Sequence, residues 1–466
     1  MSALDALFLH AEDGTTHMHI GSCAVFTGKP PTMDELTALI ASKLPLVHRF
    51  RQKVRLVPGG LGRPVWVDDP GFDIAFHVRH SALPPRSTAQ DLDNLMGRLM
   101  SQELDRDRPL WELWLVEGLP RKQWALISKV HHCMVDGVSG TDMMTALLDA
   151  TPDAVVVPAP EWTANPVPSD GRLLADAVAG LALAPARLAL SVIRGASSPR
   201  ESLRQLNDTF AGLRSFGRRL TPQSAPLSIE GSIGGHRRWA VARCTLGEAK
   251  EIRRVFGGSV NDVVLAAITA AFRDLLVQRG DVVDHATMSS LVPVSIRSGD
   301  DHSYNNQVSM VIAALPVGIA DPLERLRAIT ANMDELKLSN QATAGAAAFN
   351  VVDMMPPALF AAAVRTAMGL MHRTSQRTIN TVTTNVFGPS YPLYALGREM
   401  VEYLPFVPLS PGVRIGVAIL SYNGHLAFGV TGDYDSAPDV QTMADGIEAA
   451  IGELSELAAR TGASPR

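Results

Sequence analysis

Hydrophobic and polar positions alternate along this 466-residue chain in two periods, and the switches between them mark its elements. Short runs rich in branched and aromatic side chains predict strands at residues 18–26, 109–116 and 124–131, the last two close enough to pair as a hairpin. Residues 47–56 alternate basic and apolar side chains, which predicts a half-exposed strand. Apolar positions three and four apart predict helices at 32–44 and 88–104. Thr32 and Glu35 form a capping box for the first, and Pro45 ends it. Beyond residue 237 the pattern predicts helices at 261–278, 321–337 and 440–460, with a helical stretch at 344–371 broken at Pro356-Pro357. Strands are expected there at 288–296, 308–315, 381–386, 414–422 and 425–431.

Strands and helices mix through both halves, so the expected fold class is α/β, with two lobes packed side by side. The first lobe is expected at 1–155 and the second at 237–466. Between them, residues 156–236 change character. Proline and alanine come first, and then arginines such as Arg187, Arg194, Arg204 and Arg218 outnumber acids. This basic, helical connection could face anionic phosphates or simply be solvated.

Composition narrows the function classes. A hydrophobic share of 46% with 19% charged residues describes a globular chain, and a net charge of −5 gives no general attraction to nucleic acid. Three scattered cysteines supply neither a disulfide framework nor a cysteine-rich zinc site. The opening residues lack the basic and apolar parts of a secretion signal, and no apolar run is long enough to span a bilayer. The expected location is therefore cytoplasmic, with any membrane or lipid-droplet contact peripheral.

One stretch concentrates chemistry: His131-His132-Cys133-Met134-Val135-Asp136-Gly137, at a predicted strand end. Successive strand residues face opposite ways, so the histidines should not share one cavity, and one is reactive while the other supports it. A metal site lacks third and fourth ligands nearby. A serine nucleophile at Ser139 fails because Gly140 stands one position too early for a Gly-x-Ser-x-Gly elbow. Cys133 beside His132 is chemically conceivable, but buried cysteines are usually inert. A pair of satisfied core histidines is the plain alternative. A general base remains, since imidazole exchanges protons near neutral pH.

The same run resembles the HHxxxDG motif of coenzyme A-dependent acyltransferases related to chloramphenicol acetyltransferase. More closely, the chain resembles the bacterial wax ester synthase/acyl-CoA:diacylglycerol acyltransferase family, particularly actinobacterial triacylglycerol synthases. Matching pieces run nearly end to end: Leu4 to Leu9, Met18 to Gly21, Pro109-Leu110-Trp111, Gly234 to Arg238, Ser259 to Ala266, Val292 to Arg297 and Ser421 to Gly424. Many relatives read Asn-Val-Pro-Gly-Pro where this chain has Asn385-Val386-Phe387-Gly388-Pro389.

The resemblance implies two chloramphenicol acetyltransferase-like lobes with mixed sheets and a substrate tunnel at their interface. It assigns the general base to His132. It leaves His131, Asp136 and Gly137 to hold the loop, and makes Arg297 the partner of Asp136. Asn261 and Asp262 belong to the family's second signature, where a role in shaping the acyl channel is favoured; Ser259 to Asp262 also reads as a capping box. The implied reaction is direct transfer from long-chain acyl-CoA, a co-substrate, to diacylglycerol or a fatty alcohol, with no bound cofactor and no metal. A non-catalytic lipid-surface protein is the alternative from another class.

Overall fold

The computed structural model describes residues 1–134, 144, 146–182, 226–295, 308–338, 357–373 and 378–462. Local capping sets the first elements. The Asp5 amide donates to the Ser2 hydroxyl at 3.1 Å while Asp5 accepts from the Ser2 amide, and this box starts helix α1 (Ala3–Ala11). Strand β1 (His19–Thr27) follows. Helix α2 (Met33–Lys43) carries the expected Thr32–Glu35 box, and Pro45 lies in the short 3-10 turn that ends it.

The predicted strand over 47–56 is only half a strand. His48–Arg51 winds as a 3-10 turn, and β2 (Gln52–Arg55) then pairs with β3 (Val65–Asp68). Phe50 is the cause: it is buried, it stacks on Trp111, and its carbonyl accepts the Trp111 indole N–H at 2.9 Å. The short helix α3 (Ile74–His77) and strand β4 (Val78–Ala82) lead to α4 (Ala89–Met100), which stops four residues short of the expected end. Its last carbonyls are taken by a lysine. The fully buried Lys129 ammonium donates to Leu99 O at 3.0 Å and to Gln102 O, a cationic cap on the negative end of the helix. The expected hairpin is present as β5 (Trp111–Leu119) and β6 (Gln123–His131).

The second half supplies β7 (Arg237–Thr245), α5 (Leu246–Phe256), α6 (Val260–Gln278), β8 (Met288–Ser295), β9 (Val308–Leu315), α7 (Pro322–Leu338) and α8 (Pro357–Arg373). Then come β10 (Thr381–Phe387), β11 (Tyr394–Ala395), β12 (Arg398–Phe406), β13 (Ile415–Tyr422), β14 (His425–Asp433) and α9 (Val440–Gly462). The part of the 344–371 helical stretch before Pro357 lies outside the described residues, as do 183–225 of the interlobe connection.

Two six-stranded mixed sheets form the two lobes. The first runs β11-β12-β1-β6-β5-β4, parallel only between β5 and β4; the second runs β7-β14-β13-β10-β8-β9, parallel at β13-β10 and β10-β8. Residues 394–406 of the second half thus complete the first sheet, pairing β12 with β1 through Ser22–Pro405 and Cys23–Leu404. The sheets do not divide strand by strand at residue 237. Helix α6 is buried along most of its length against the second sheet, while Trp239, Val241 and Ala427 share a core with Cys23, Leu404 and Met96.

Among the described residues no single helix is long and apolar enough to cross a membrane. Helices α5 and α6 reach that length only together, and they meet at 100°.

Candidate active site

His131 is the last residue of β6, and His132 opens the 3-10 turn His132–Met134. The chain direction changes between them, so the two rings part. His131 is fully buried. Its Nδ1 accepts the Cys133 amide at 3.1 Å, and its Nε2 lies 3.4 Å from Glu12 Oε2. An Nδ1 that accepts must be unprotonated, so the ring proton of neutral His131 sits on Nε2, facing the carboxylate.

His132 is half-buried and stacks on Phe8 of α1, with ring centroids 3.8 Å apart and planes at 24°. Its amide donates to Met18 O at 2.8 Å, just as the His131 amide donates to Leu110 O at 3.0 Å. Its Nδ1 is buried without a hydrogen-bond partner. Burial pulls the imidazole down to about 4, only partly offset by contact with its own main chain, so the ring is neutral at pH 7. A neutral ring can accept a proton.

Around this pair the scattered motif pieces converge. Trp111 stacks on His77 at 4.5 Å and on Phe50 at 4.9 Å, which fixes the strand whose neighbour Leu110 holds His131. His19 stands opposite His131 in the β1–β6 register. Burial pushes its imidazole down to about 3, although Glu12 Oε1 lies 3.1 Å from Nε2.

Glu12 carried no signal in the sequence, yet it is the polar centre of the cluster. Its side chain is 5% exposed, touches both His19 and His131, and accepts from Arg106 at 2.5 Å. Burial alone would raise its carboxyl, but His131 and His19 outweigh that and hold it far below the usual carboxylate range. Cys133 is buried, and that burial pushes its thiol far up, which removes it as a nucleophile. Among the described residues no group of histidine, cysteine and carboxylate side chains could hold a metal.

Asp136, Gly137, Ser139 and Arg297 lie outside the described residues. Asn261 and Asp262 lie in the first turn of α6. The Asp262 carboxylate accepts from the Ser259 amide at 2.8 Å and the Ser259 hydroxyl accepts from the Asp262 amide, the capping box that the sequence contains. Asn261 Oδ1 accepts from Asn385 Nδ2 at 3.2 Å, so the second signature meets the Asn385 to Pro389 segment on β10. Phe387, the residue that departs from the relatives, is 78% exposed; the constraint falls instead on Gly388, where a Cβ would overlap the Ser421 carbonyl.

The other lobe is tied in by Arg237. This buried guanidinium donates to Gly234 O, to His236 O and across to Thr15 O, while His17 Nε2 lies 3.1 Å from Gly235 O. A cleft of about 970 Å³ opens nearby between α4 and the start of β7, lined by Arg98, Arg238 and Tyr434, with neither His131 nor His132 in its wall.

Residues 1–264 match the wax ester synthase/diacylglycerol acyltransferase catalytic domain, and residues 304–455 match the WS/DGAT C-terminal domain. The chain belongs to the wax ester synthase/diacylglycerol acyltransferase family. Membership makes it an O-acyltransferase. It is 35% identical to the probable diacylglycerol O-acyltransferase tgs1 of Mycobacterium tuberculosis strain H37Rv, covering 99% of this chain and 96% of that protein. The probable diacylglycerol O-acyltransferase tgs2 of the same strain is 32% identical over 97% and 98% of the two chains. Among solved structures, the wax ester synthase/diacylglycerol acyltransferase from Marinobacter aquaeolei VT8 superposes with a TM-score of 0.70 at 26% identity, covering 98% of each chain. The first condensation domain of the calcium-dependent antibiotic synthetase shares the fold, with a TM-score of 0.57 at 16% identity over 100% and 96% of the two chains.

Proposed function

We propose that this acyltransferase moves a long-chain acyl group from acyl-CoA to the free hydroxyl of diacylglycerol, giving triacylglycerol and free coenzyme A. His132 takes the hydroxyl proton as the oxygen attacks the thioester carbonyl, the C–S bond breaks, and the proton passes to the departing thiolate. His131 and the Asp136–Arg297 pair hold the loop. Asn261, capped into α6 beside Asn385, shapes the channel in which the acyl chain lies between the lobes. The water-insoluble acceptor would be collected at a membrane or lipid-droplet surface. The observation that carries the choice of acceptor is full-length similarity to proteins named diacylglycerol O-acyltransferases; a neutral imidazole at the turn supports the choice of base.

Purified protein given labelled palmitoyl-CoA with diacylglycerol or hexadecanol in parallel tests this reading. Label is expected in triacylglycerol at the higher rate. A higher rate into wax ester would select the fatty-alcohol reading, which the double name of the Marinobacter neighbour favours. No transfer to either acceptor by the folded protein would overturn both.

The pH dependence follows from His132. A base with a pKa of about 4 is unprotonated at every pH well above that value, so kcat/KM should be flat from pH 6 to 8 and fall only as pH drops through about 4. Buried His19 acts on stability with the same sign. The unfolded ring protonates near 6.5 and the folded ring only near 3, so stability is full above 6.5 and lost as pH falls through that window. Initial rates measured beside melting curves separate the two, and a kinetic midpoint near 6.5 in still-folded protein would refute the lowered base.

A further inference from the structure

The carboxylate of Glu12 lies 119 residues before His131 in the chain and has no part in the motif that carries His132, yet two routes of close polar contact lead from it to the His132 main chain. In the first, Glu12 Oε2 faces His131 Nε2 at 3.4 Å, and the other ring nitrogen, Nδ1, accepts the Cys133 amide at 3.1 Å. In the second, Glu12 Oε1 accepts the Met18 amide at 3.3 Å, and Met18 O accepts the His132 amide at 2.8 Å. The amide of His132 and the amide that follows it are thus both fixed through groups that touch one carboxylate.

We propose that Glu12 is a positioning residue for acyl transfer: it keeps the His131 ring proton on Nε2, which leaves Nδ1 free to accept the Cys133 amide and so sets the turn that aims His132. The inference rests on the reading of His132 as base, and it goes beyond that reading by naming what orients the turn from the opposite side of the motif.

The physical case is one of tautomers. A neutral imidazole carries one ring proton and can place it on either nitrogen. With a carboxylate against Nε2, the proton belongs there. Without it, the Nδ1–H form becomes competitive, and that form points a donor at the Cys133 N–H, itself a donor. The buried amide would lose its partner and the turn would relax. Arg106 also donates to Glu12 Oε2, and the contacts with His131 and His19 hold the carboxyl far below its ordinary range despite its burial. A base displaced by about 1 Å loses on the order of 100-fold in rate, because proton transfer demands near-contact geometry.

The test combines kinetics with a readout of the ring itself. In protein labelled with ¹⁵N-histidine, without substrate, wild-type His131 is expected to show an unprotonated Nδ1 and a protonated Nε2 at pH 7. A protonated Nδ1 would overturn the proposal whether or not any variant folds. This measurement also stands if the protein fails to transfer palmitate at all, the result that would defeat the His132 reading instead. In Glu12→Gln the tautomer is expected to shift, and kcat to fall about 10- to 100-fold with the KM for palmitoyl-CoA within about twofold.

An asparagine at 131 can accept the Cys133 amide through its side-chain oxygen without help from Glu12. In a His131→Asn background, Glu12→Gln should therefore cost no more than about twofold further, a non-additivity expected of groups acting in one chain of contacts. An undiminished kcat in Glu12→Gln, or the same loss in both backgrounds, would remove Glu12 from the role, since a carboxylate that merely stabilised the fold would act regardless of His131.

Discussion

Replacing His132 with alanine is expected to lower kcat by about 10²- to 10⁴-fold, the range a positioned general base contributes, while KM for acyl-CoA stays near its wild-type value. In barrier terms the loss is about 3 to 5 kcal/mol. The fold should tolerate the change. What holds the turn at this position is the backbone, through the His132 amide to Met18 O and the Cys133 amide to His131 Nδ1, and alanine keeps both. The side chain itself gives up its stack on Phe8, a loss of about 1 kcal/mol in stability. His131 differs in kind. Its ring is wholly buried between the Cys133 amide and Glu12, so truncating it leaves the buried Cys133 amide without its acceptor, and stability should suffer more than it does at His132. Radiolabel transfer at saturating substrates, with circular dichroism to check folding, makes the comparison. A folded His132→Ala protein that kept full activity would end the base assignment.

The histidine pair was legible because adjacent histidines followed by Asp136-Gly137 are compositionally rare, and because a strand end separates neighbouring side chains. The structure adds why the separation holds: one ring ends β6 and the other begins a 3-10 turn. Glu12 was not legible. Nothing local ties an acid at the end of α1 to a histidine 119 residues later; only the β1–β6 pairing, with His19 opposite His131, brings them together. Lys129 stands in the predicted strand at 124–131 with nothing local to mark its burial, which follows from the end of α4 lying over it and offering carbonyls. Strand β12 escaped for a related reason. A period-two pattern says which side of a strand is buried but not which sheet receives it, and β12 leaves the second half of the chain to pair with β1. Residues 47–56 failed because a 3-10 turn and a strand can bury nearly the same positions over so short a span.

The crossing of β12 into the first sheet creates the contact whose disruption should cost the most stability. Pro405 on β12 lies opposite Ser22 of β1, whose hydroxyl is 2.8 Å from that of Ser128 on β6, three residues before His131. On its other side, the Pro405 carbonyl accepts the Trp239 indole N–H at 3.1 Å and lies against Gly429 of β14 so closely that a Cβ at 429 would overlap it. Gly429 is thus where the second sheet touches the strand that braces the histidine-bearing strands. A side chain there cannot be absorbed by a rotamer change, because the obstacle is backbone. Gly429→Val is therefore expected to destabilise the protein by about 3 kcal/mol or more, at or beyond the upper end of ordinary overpacking, with reduced soluble yield. Gly452→Ala is the matched control. That glycine is exposed inside α9 with nothing within 4 Å of a new Cβ, so alanine should stabilise the helix by about 0.5 to 1 kcal/mol. Urea midpoints of the two variants should move in opposite directions. If Gly429→Val unfolded at the wild-type midpoint, β12 and β14 could part freely, and the packing between the lobes would not be what holds the histidine strands in place.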